Sequence, residues 1–158
     1  MTGETGPEAV VSLREITAET LRSILNLKVA PQQEHCVAPN AVSIAEAHFS
    51  DRAWFRAIYA DETPVGFLML ELPDPNDPDD APVYFLWRLM IGADHQGKGY
   101  GRRAIELLVD HVRALPGATA LLTSYVPGEA GPRDFYRKLG FVETGEIDDG
   151  EVVTRLGF

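Results

Sequence analysis

The chain has 158 residues, 45% hydrophobic and 24% charged, which sets aside wholesale disorder and suits one domain with a sizeable core. Fourteen Lys and Arg against 24 Asp and Glu leave a formal net charge of −10, so neither nucleic acid nor a membrane surface is an expected partner. The same charge suits a cationic partner, and it equally suits plain solubility. A lone cysteine, Cys36, cannot close an intrachain disulfide or build a cysteine zinc site, and His48, His95 and His111 have no metal-ligand spacing, so no metal is expected. Cys36 reads as a small buried hydrophobe. Residues 1–9 are rich in Gly, Pro and Glu, with no basic start and no apolar stretch. They read as a loose tail before a single domain over 10–158, and a cytoplasmic location is expected, since no apolar run approaches the roughly 20 residues of a membrane span.

In chain order, residues 10–16 predict a short strand. Thr17 then offers an N-cap oxygen to a helix reaching about Leu27. Pro31 and Pro39 bracket an irregular segment, after which a second helix follows Asn40 with Val42, Ala45 and Phe49 on one side. Residues 54–60 and 65–72 form a hairpin across a turn at 61–64. Residues 73–82 hold four prolines and four aspartates and can only be a loop. The strand over 83–91 is apolar on both faces, hence central, with Phe85, Trp87, Leu89 and Ile91 on one face and Tyr84, Leu86, Arg88 and Met90 on the other. Trp54 and Trp87 read as core residues rather than cation-stacking ones. A glycine-rich turn leads to a helix over about 100–115 with an apolar stripe of Ala104, Ile105, Leu108, Val112 and Leu115. A strand over 118–124, a short helix from Pro132 to a stop at Gly140, and a hairpin of 141–147 with 151–156 complete the chain. The order predicts an α/β fold: a central mixed sheet with helices on both faces.

The strongest local signal is Gln96-Gly97-Lys98-Gly99-Tyr100-Gly101-Arg102-Arg103, between a buried strand and a long helix. Glycines let backbone N–H groups approach an anion closely, and the helix N-terminus adds partial positive charge. Lys98, Arg102 and Arg103 invert the sign of an acidic chain locally, so a phosphorylated ligand is the natural occupant. A dinucleotide fingerprint fails, because counting from Gly97 puts Arg102 where its last glycine belongs, and the P-loop Lys-Ser/Thr pair is absent.

Leu89-Met90-Ile91 followed by Gln96-x-x-Gly99-x-Gly101 at a helix start resembles the acetyl-CoA signature of the GNAT N-acetyltransferases. The downstream run of a strand, the loop EAGP and Tyr136-x-x-x-Gly140-Phe141 resembles a second motif of that family. The segments VAPNAVSIAEA, SYVPGEAGP and GEIDDGEVV further resemble its spermine/spermidine (polyamine) branch. The resemblance implies direct transfer of acetyl from acetyl-CoA to a primary amine of a small cationic acceptor, within a ternary complex. It implies pyrophosphate on the amides of Gln96, Gly97, Lys98, Gly99, Tyr100 and Gly101 with Arg102 nearby, and the pantetheine arm along Leu89, Met90 and Ile91 like an added strand. An N–H near Leu89 would hold the oxyanion, a role typically worth about 3–4 kcal/mol. Tyr136 is the implied acid for the departing thiolate. Phe135 and Leu139 share the buried stripe of the short helix, which turns Tyr136 about 100° toward its edge and predicts a half-buried phenol.

Many relatives carry a glutamate where this chain has Trp87 and Arg88, which leaves the base open among Glu71 on the neighbouring strand, Glu34, His35 or a water chain. Relatives also usually carry an asparagine where this chain has residues 128–131. Glu34, His35, Asn40 and Ser43 fall around the first two helices, the acceptor side in this family, and the aspartates of 74–80 with Asp148, Asp149 and Glu151 would extend an acidic field toward a polycation. Two other readings stay open: acetylation of a different amine (an antibiotic, an amino acid or a protein lysine), or a CoA-binding module without catalysis. A homodimer through the C-terminal strands is compatible with the resemblance.

Overall fold

The computed structural model describes residues 9–77, 82–129 and 131–158. The expected tail therefore lies outside the described residues except for Ala9, as do residues 78–81 of the proline-rich loop. Seven strands, β1 (Val11–Arg14), β2 (Ala53–Ala60), β3 (Thr63–Glu71), β4 (Tyr84–Ile91), β5 (Ala120–Tyr125), β6 (Val142–Asp148) and β7 (Glu151–Gly157), form one sheet in the order β1-β2-β3-β4-β5-β7-β6. Only the β4–β5 pair is parallel, and α3 (Tyr100–Arg113) makes the crossover between them. On that helix's face of the sheet, Ile58, Leu68, Leu70 and Leu86 pack against Ala104, Ile105, Leu108 and Val112. On the other face, Ala57, Phe67, Met69 and Met90 meet Ile24 of α1 (Leu21–Leu25) and Ala47 of α2 (Asn40–His48). The expected mixed sheet, covered on both faces, is thus present.

Three local expectations change. First, α1 is shorter than predicted. Thr17 and Thr20 close a turn on each other, with Thr17 N donating to Thr20 Oγ1 at 2.9 Å and Thr20 N to Thr17 Oγ1 at 3.3 Å, so the helix starts only at Leu21.

Second, α2 buries the side opposite to its apolar stripe. Val42 is 45% and Phe49 87% exposed, while Asn40, Ser43 and Ala47 face inward. Asn40 Nδ2 donates to the Ile24 carbonyl at 2.9 Å, a bond that seats α2 on the end of α1.

Third, the face alternation of β4 breaks in mid-strand. Met69 pairs with Arg88 but Leu70 pairs with Leu86, so Trp87 is an extra, bulged residue. The bulge resets the period: Tyr84 and Leu86 lie on the α3 face, and so do Leu89 and Ile91, whereas Trp87 and Met90 lie on the α1/α2 face. The tryptophans are only partly buried and do stack cations, Arg56 over Trp54 at 4.2 Å and Arg88 over Trp87 at 5.4 Å.

Candidate functional site

The bulge creates the site. β4 and β5 are paired only at Tyr84–Leu121, Phe85–Leu122 and Leu86–Thr123. The Thr123 hydroxyl closes that short ladder by donating to the Leu86 carbonyl at 2.9 Å. Beyond Trp87 the strands part, and the main chain of Leu89, Met90 and Ile91 has no strand on the β5 side. A cavity of about 1060 Å³ fills the gap. One edge of β4 is therefore held by β3, while beyond Leu86 the other has no strand beside it, the arrangement that accepts an extended ligand as an added strand.

At one end of the cavity stands the glycine loop. Gly97 and Gly99 have φ of +77° and +85°, and Gly99 is the N-cap of α3. A Cβ at Gly97 would meet nothing within 4 Å, so backbone conformation and not space requires glycine there. At Gly101 space decides, since a Cβ would crowd the Phe135 ring at 3.3 Å. The first helical bond runs from Arg103 N to Gly99 O at 3.1 Å, so the amides of Tyr100, Gly101 and Arg102 have no carbonyl one turn back to bond. Those amides, the helix dipole and Arg102 on the same wall fit the phosphates of a nucleotide-bearing carrier. Gln96, Gly97, Gly99, Tyr100 and Gly101 line the cavity, whereas Lys98 is exposed and is not among the lining residues.

Tyr136, on α4 (Arg133–Lys138), reaches the cavity from the β5 side. It is only 6% exposed, deeper than the predicted half-buried phenol, because Tyr125, Phe135 and Phe141 enclose its ring at centroid distances of 6.2, 5.1 and 5.3 Å. Burial pushes its phenol up to about 12, the Thr123 hydroxyl works against that rise, and the charge of Glu151 adds to it. Tyr136 therefore stays protonated across the neutral range and has a proton to donate into a hydrogen bond.

The cavity wall also carries five carboxylates: Glu34, Glu71, Asp148, Asp149 and Glu151. The last three arrive on the β6–β7 turn, and Glu151 accepts a 2.8 Å bond from the Ser124 hydroxyl. Glu71 meets Arg52 at 3.6 Å, both half-exposed. Arg88 is drawn to α2 by a 2.8 Å ion pair with Glu46. His35 and Cys36 line the cavity beside Glu34, so Cys36 is not the enclosed residue expected. Asn40 and Ser43, expected on the acceptor side, are corrected: both are buried in the α2 packing and neither lines the cavity. Asp74 and Asp77 are also off the cavity wall, and Asp79 and Asp80 lie outside the described residues.

Sequence reasoning missed Gln33, a wall residue whose amide pairs with that of Gln96. Its one local signal is its place three residues after Ala30 and two after Pro31, at the end of a 3-10 turn.

The sequence model of the acetyltransferase (GNAT) family matches residues 12–141. A spermine/spermidine N(1)-acetyltransferase of Bacillus subtilis (strain 168) is 25% identical over 145 residues, covering 90% of this chain and 95% of that protein. Among solved structures, the GNAT domain of S. lividans PAT superposes with a TM-score of 0.74 at 14% identity, covering 95% of this chain and 90% of that one. A Bacillus subtilis acetyltransferase in complex with CoA gives 0.66 at 15%, covering 96% and 99%.

Proposed function

The chain belongs to the acetyltransferase (GNAT) family, and from that premise we propose that it moves the acetyl group of acetyl-CoA onto a primary amine of a small polycation of the spermine/spermidine kind. One observation carries the reading: a single cavity at the β4–β5 divergence is lined both by an anion cradle of helix-start amides and by five carboxylates. The cradle suits the phosphates of the carrier, and the carboxylates suit an acceptor with more than one ammonium group. The likeness to the spermine/spermidine acetyltransferase supports the acceptor class.

Bound acetyl-CoA supplies an acetyl activated as a thioester, and attack by the amine makes a C–N bond as the C–S bond breaks. The chain's own groups have three tasks. The β4 edge at Leu89, Met90 and Ile91, which has no strand beside it, holds the pantetheine arm, and an N–H near Leu89 donates a hydrogen bond to the carbonyl oxygen as negative charge grows there. Tyr136 donates a hydrogen bond to the leaving sulfur. Its phenol sits near 12 and an ordinary thiol near about 8.5, so complete transfer of its proton would cost roughly 5 kcal/mol. Tyr136 thus acts by stabilising the departing thiolate while keeping its proton for most of the step.

The third task is to deprotonate the amine, which costs roughly 4–5 kcal/mol at pH 7 for a pKa of about 10.4. Carboxylates around distal ammonium groups hold them charged; one nearest the attacking nitrogen takes its proton. Of the groups the sequence leaves open for this task we take Glu71, which lines the cavity, and beside it Glu151, whose charge acts on Tyr136.

The test is release of CoA thiol from acetyl-CoA with spermidine, spermine, an aminoglycoside, free amino acids and a lysine peptide. Turnover highest with spermidine or spermine supports the proposal. Turnover confined to the other amines overturns the acceptor class, and tight acetyl-CoA binding without turnover on any of them overturns catalysis. Replacing Glu71 or Glu151 by Gln then identifies the base, since only loss of the base removes the acid limb of the kcat/KM profile.

A further inference from the structure

We infer that Gln33 is a positioning residue that couples the phosphate loop to the acceptor-side segment, so that acetyl-CoA binding orders the place where the amine docks; this rests on the proposed function. The segment carrying Glu34 and His35 contributes no strand to the sheet, yet it is clasped to the glycine loop. Gln96 Nε2 donates to Gln33 Oε1 at 2.9 Å and to the Ile91 carbonyl at 2.9 Å, and Gln33 Nε2 donates back to Gln96 Oε1 at 3.3 Å. Ala93 N adds a bond to the Lys28 carbonyl at 2.8 Å.

On its other side Gln33 organises its own turn. Its Oε1 accepts from Ala30 N at 3.1 Å, its N–H donates to Ala30 O at 2.8 Å, and its carbonyl accepts from Cys36 N at 2.9 Å. One side chain therefore joins the residue that opens the phosphate loop to the turn that presents Glu34 and His35 to the cavity. An amide pair is only half as good if either partner shifts, because four hydrogen-bonding atoms must stay aligned. Fixing the loop on phosphates fixes Gln96, and Gln96 fixes Gln33. By linkage the amine must favour carrier binding by the same factor.

The experiment compares wild type with Gln33→Met, Gln96→Met and the double variant, Met keeping side-chain length without the amide. Thermal unfolding first establishes that each variant folds. With spermidine as acceptor, Gln33→Met is expected to raise KM for spermidine at least fivefold with kcat within twofold, and the double variant to be no worse than the poorer single one. Unchanged KM in Gln33→Met, or effects that multiply, overturns the coupling.

Hydrogen exchange with CoA alone gives a readout independent of turnover. CoA should protect amides at 96–101 and at 28–36 in wild type, and only the former in Gln33→Met. Protection at 96–101 without 28–36 in wild type overturns this inference and leaves the proposed function standing. No protection at either removes both.

Discussion

Tyr136→Phe separates the chemical and the packing roles of the buried phenol. The substitution deletes one oxygen and leaves the ring among Tyr125, Phe135 and Phe141. Thr123, the nearest polar neighbour, keeps its own bond to the Leu86 carbonyl, so no buried donor is orphaned and stability should change by less than about 1 kcal/mol at pH 7. What the proposed mechanism loses is a donor to a developing thiolate. A hydrogen bond to a charged group is worth roughly 1.5–3 kcal/mol, which corresponds to a roughly ten- to hundredfold fall in kcat. The assay is thiol release under saturating acetyl-CoA and amine, with acetyl-CoA affinity measured separately by calorimetry and expected to stay within threefold.

The same substitution has a signature in alkali. A phenol raised from 10.0 to about 12 in the folded chain leaves stability unchanged with pH below 10 and lowers it as pH climbs through 12, by about 3 kcal/mol in all. Urea midpoints of wild type should therefore fall more steeply between pH 10 and 12 than those of Tyr136→Phe. A variant with full kcat would refute the donor role, and identical alkaline slopes would refute the burial argument.

Gly99→Glu puts a side chain at φ +85° and a negative charge at the mouth of the anion cradle, so acetyl-CoA affinity should fall at least a hundredfold by calorimetry, with secondary structure retained by circular dichroism. Replacing Asp148 and Asp149 together by Asn should raise KM for spermidine severalfold and flatten its dependence on salt, while acetyl-CoA affinity is unchanged; an unaltered salt slope would show that the turn does not meet the amine. Glu143 is held below the ordinary carboxylate range by the Tyr125 hydroxyl and the Arg133 guanidinium, so its contribution to stability is present above pH 4.5 and fades as pH drops through its lowered folded value. Glu143→Gln should accordingly flatten the acid side of the urea-midpoint profile below pH 5.

The glycine loop was legible because its information is local: three glycines, three cations and a helix start lie within eight consecutive residues. The element order and the apolar stripe of α3 were legible for the same reason. What escaped the sequence is set by pairing between distant segments. The sequence offers Asp148, Asp149 and Glu151 together with the aspartates of 74–80 as one acidic field, and only the insertion of β7 between β5 and β6 shows that the former line the cavity while Asp74 and Asp77 do not. The bulge at Trp87 is defined only against β3, so strict alternation assigned Leu89 and Ile91 to the face opposite Leu86. Asn40 and Ser43 misled because polar residues before and within a short helix look solvent-facing; the Ile24 carbonyl that claims Asn40 is 16 positions away. Gln33 was invisible because an amide partner 63 residues distant leaves no pattern in composition or spacing.

The sheet has a torn seam. Three residue pairs tack its halves together at one end of the β4–β5 line, and past them the start of α3 stands at the rip. A thioester carrier lying in the rip is a rung made of something other than protein. Its occupancy should stiffen the fold in proportion to the logarithm of its concentration, by about 2.7 kcal/mol at a hundredfold excess over its dissociation constant. A carrier bound there would keep the halves stitched, and the carrier-free form would be the one most easily unzipped.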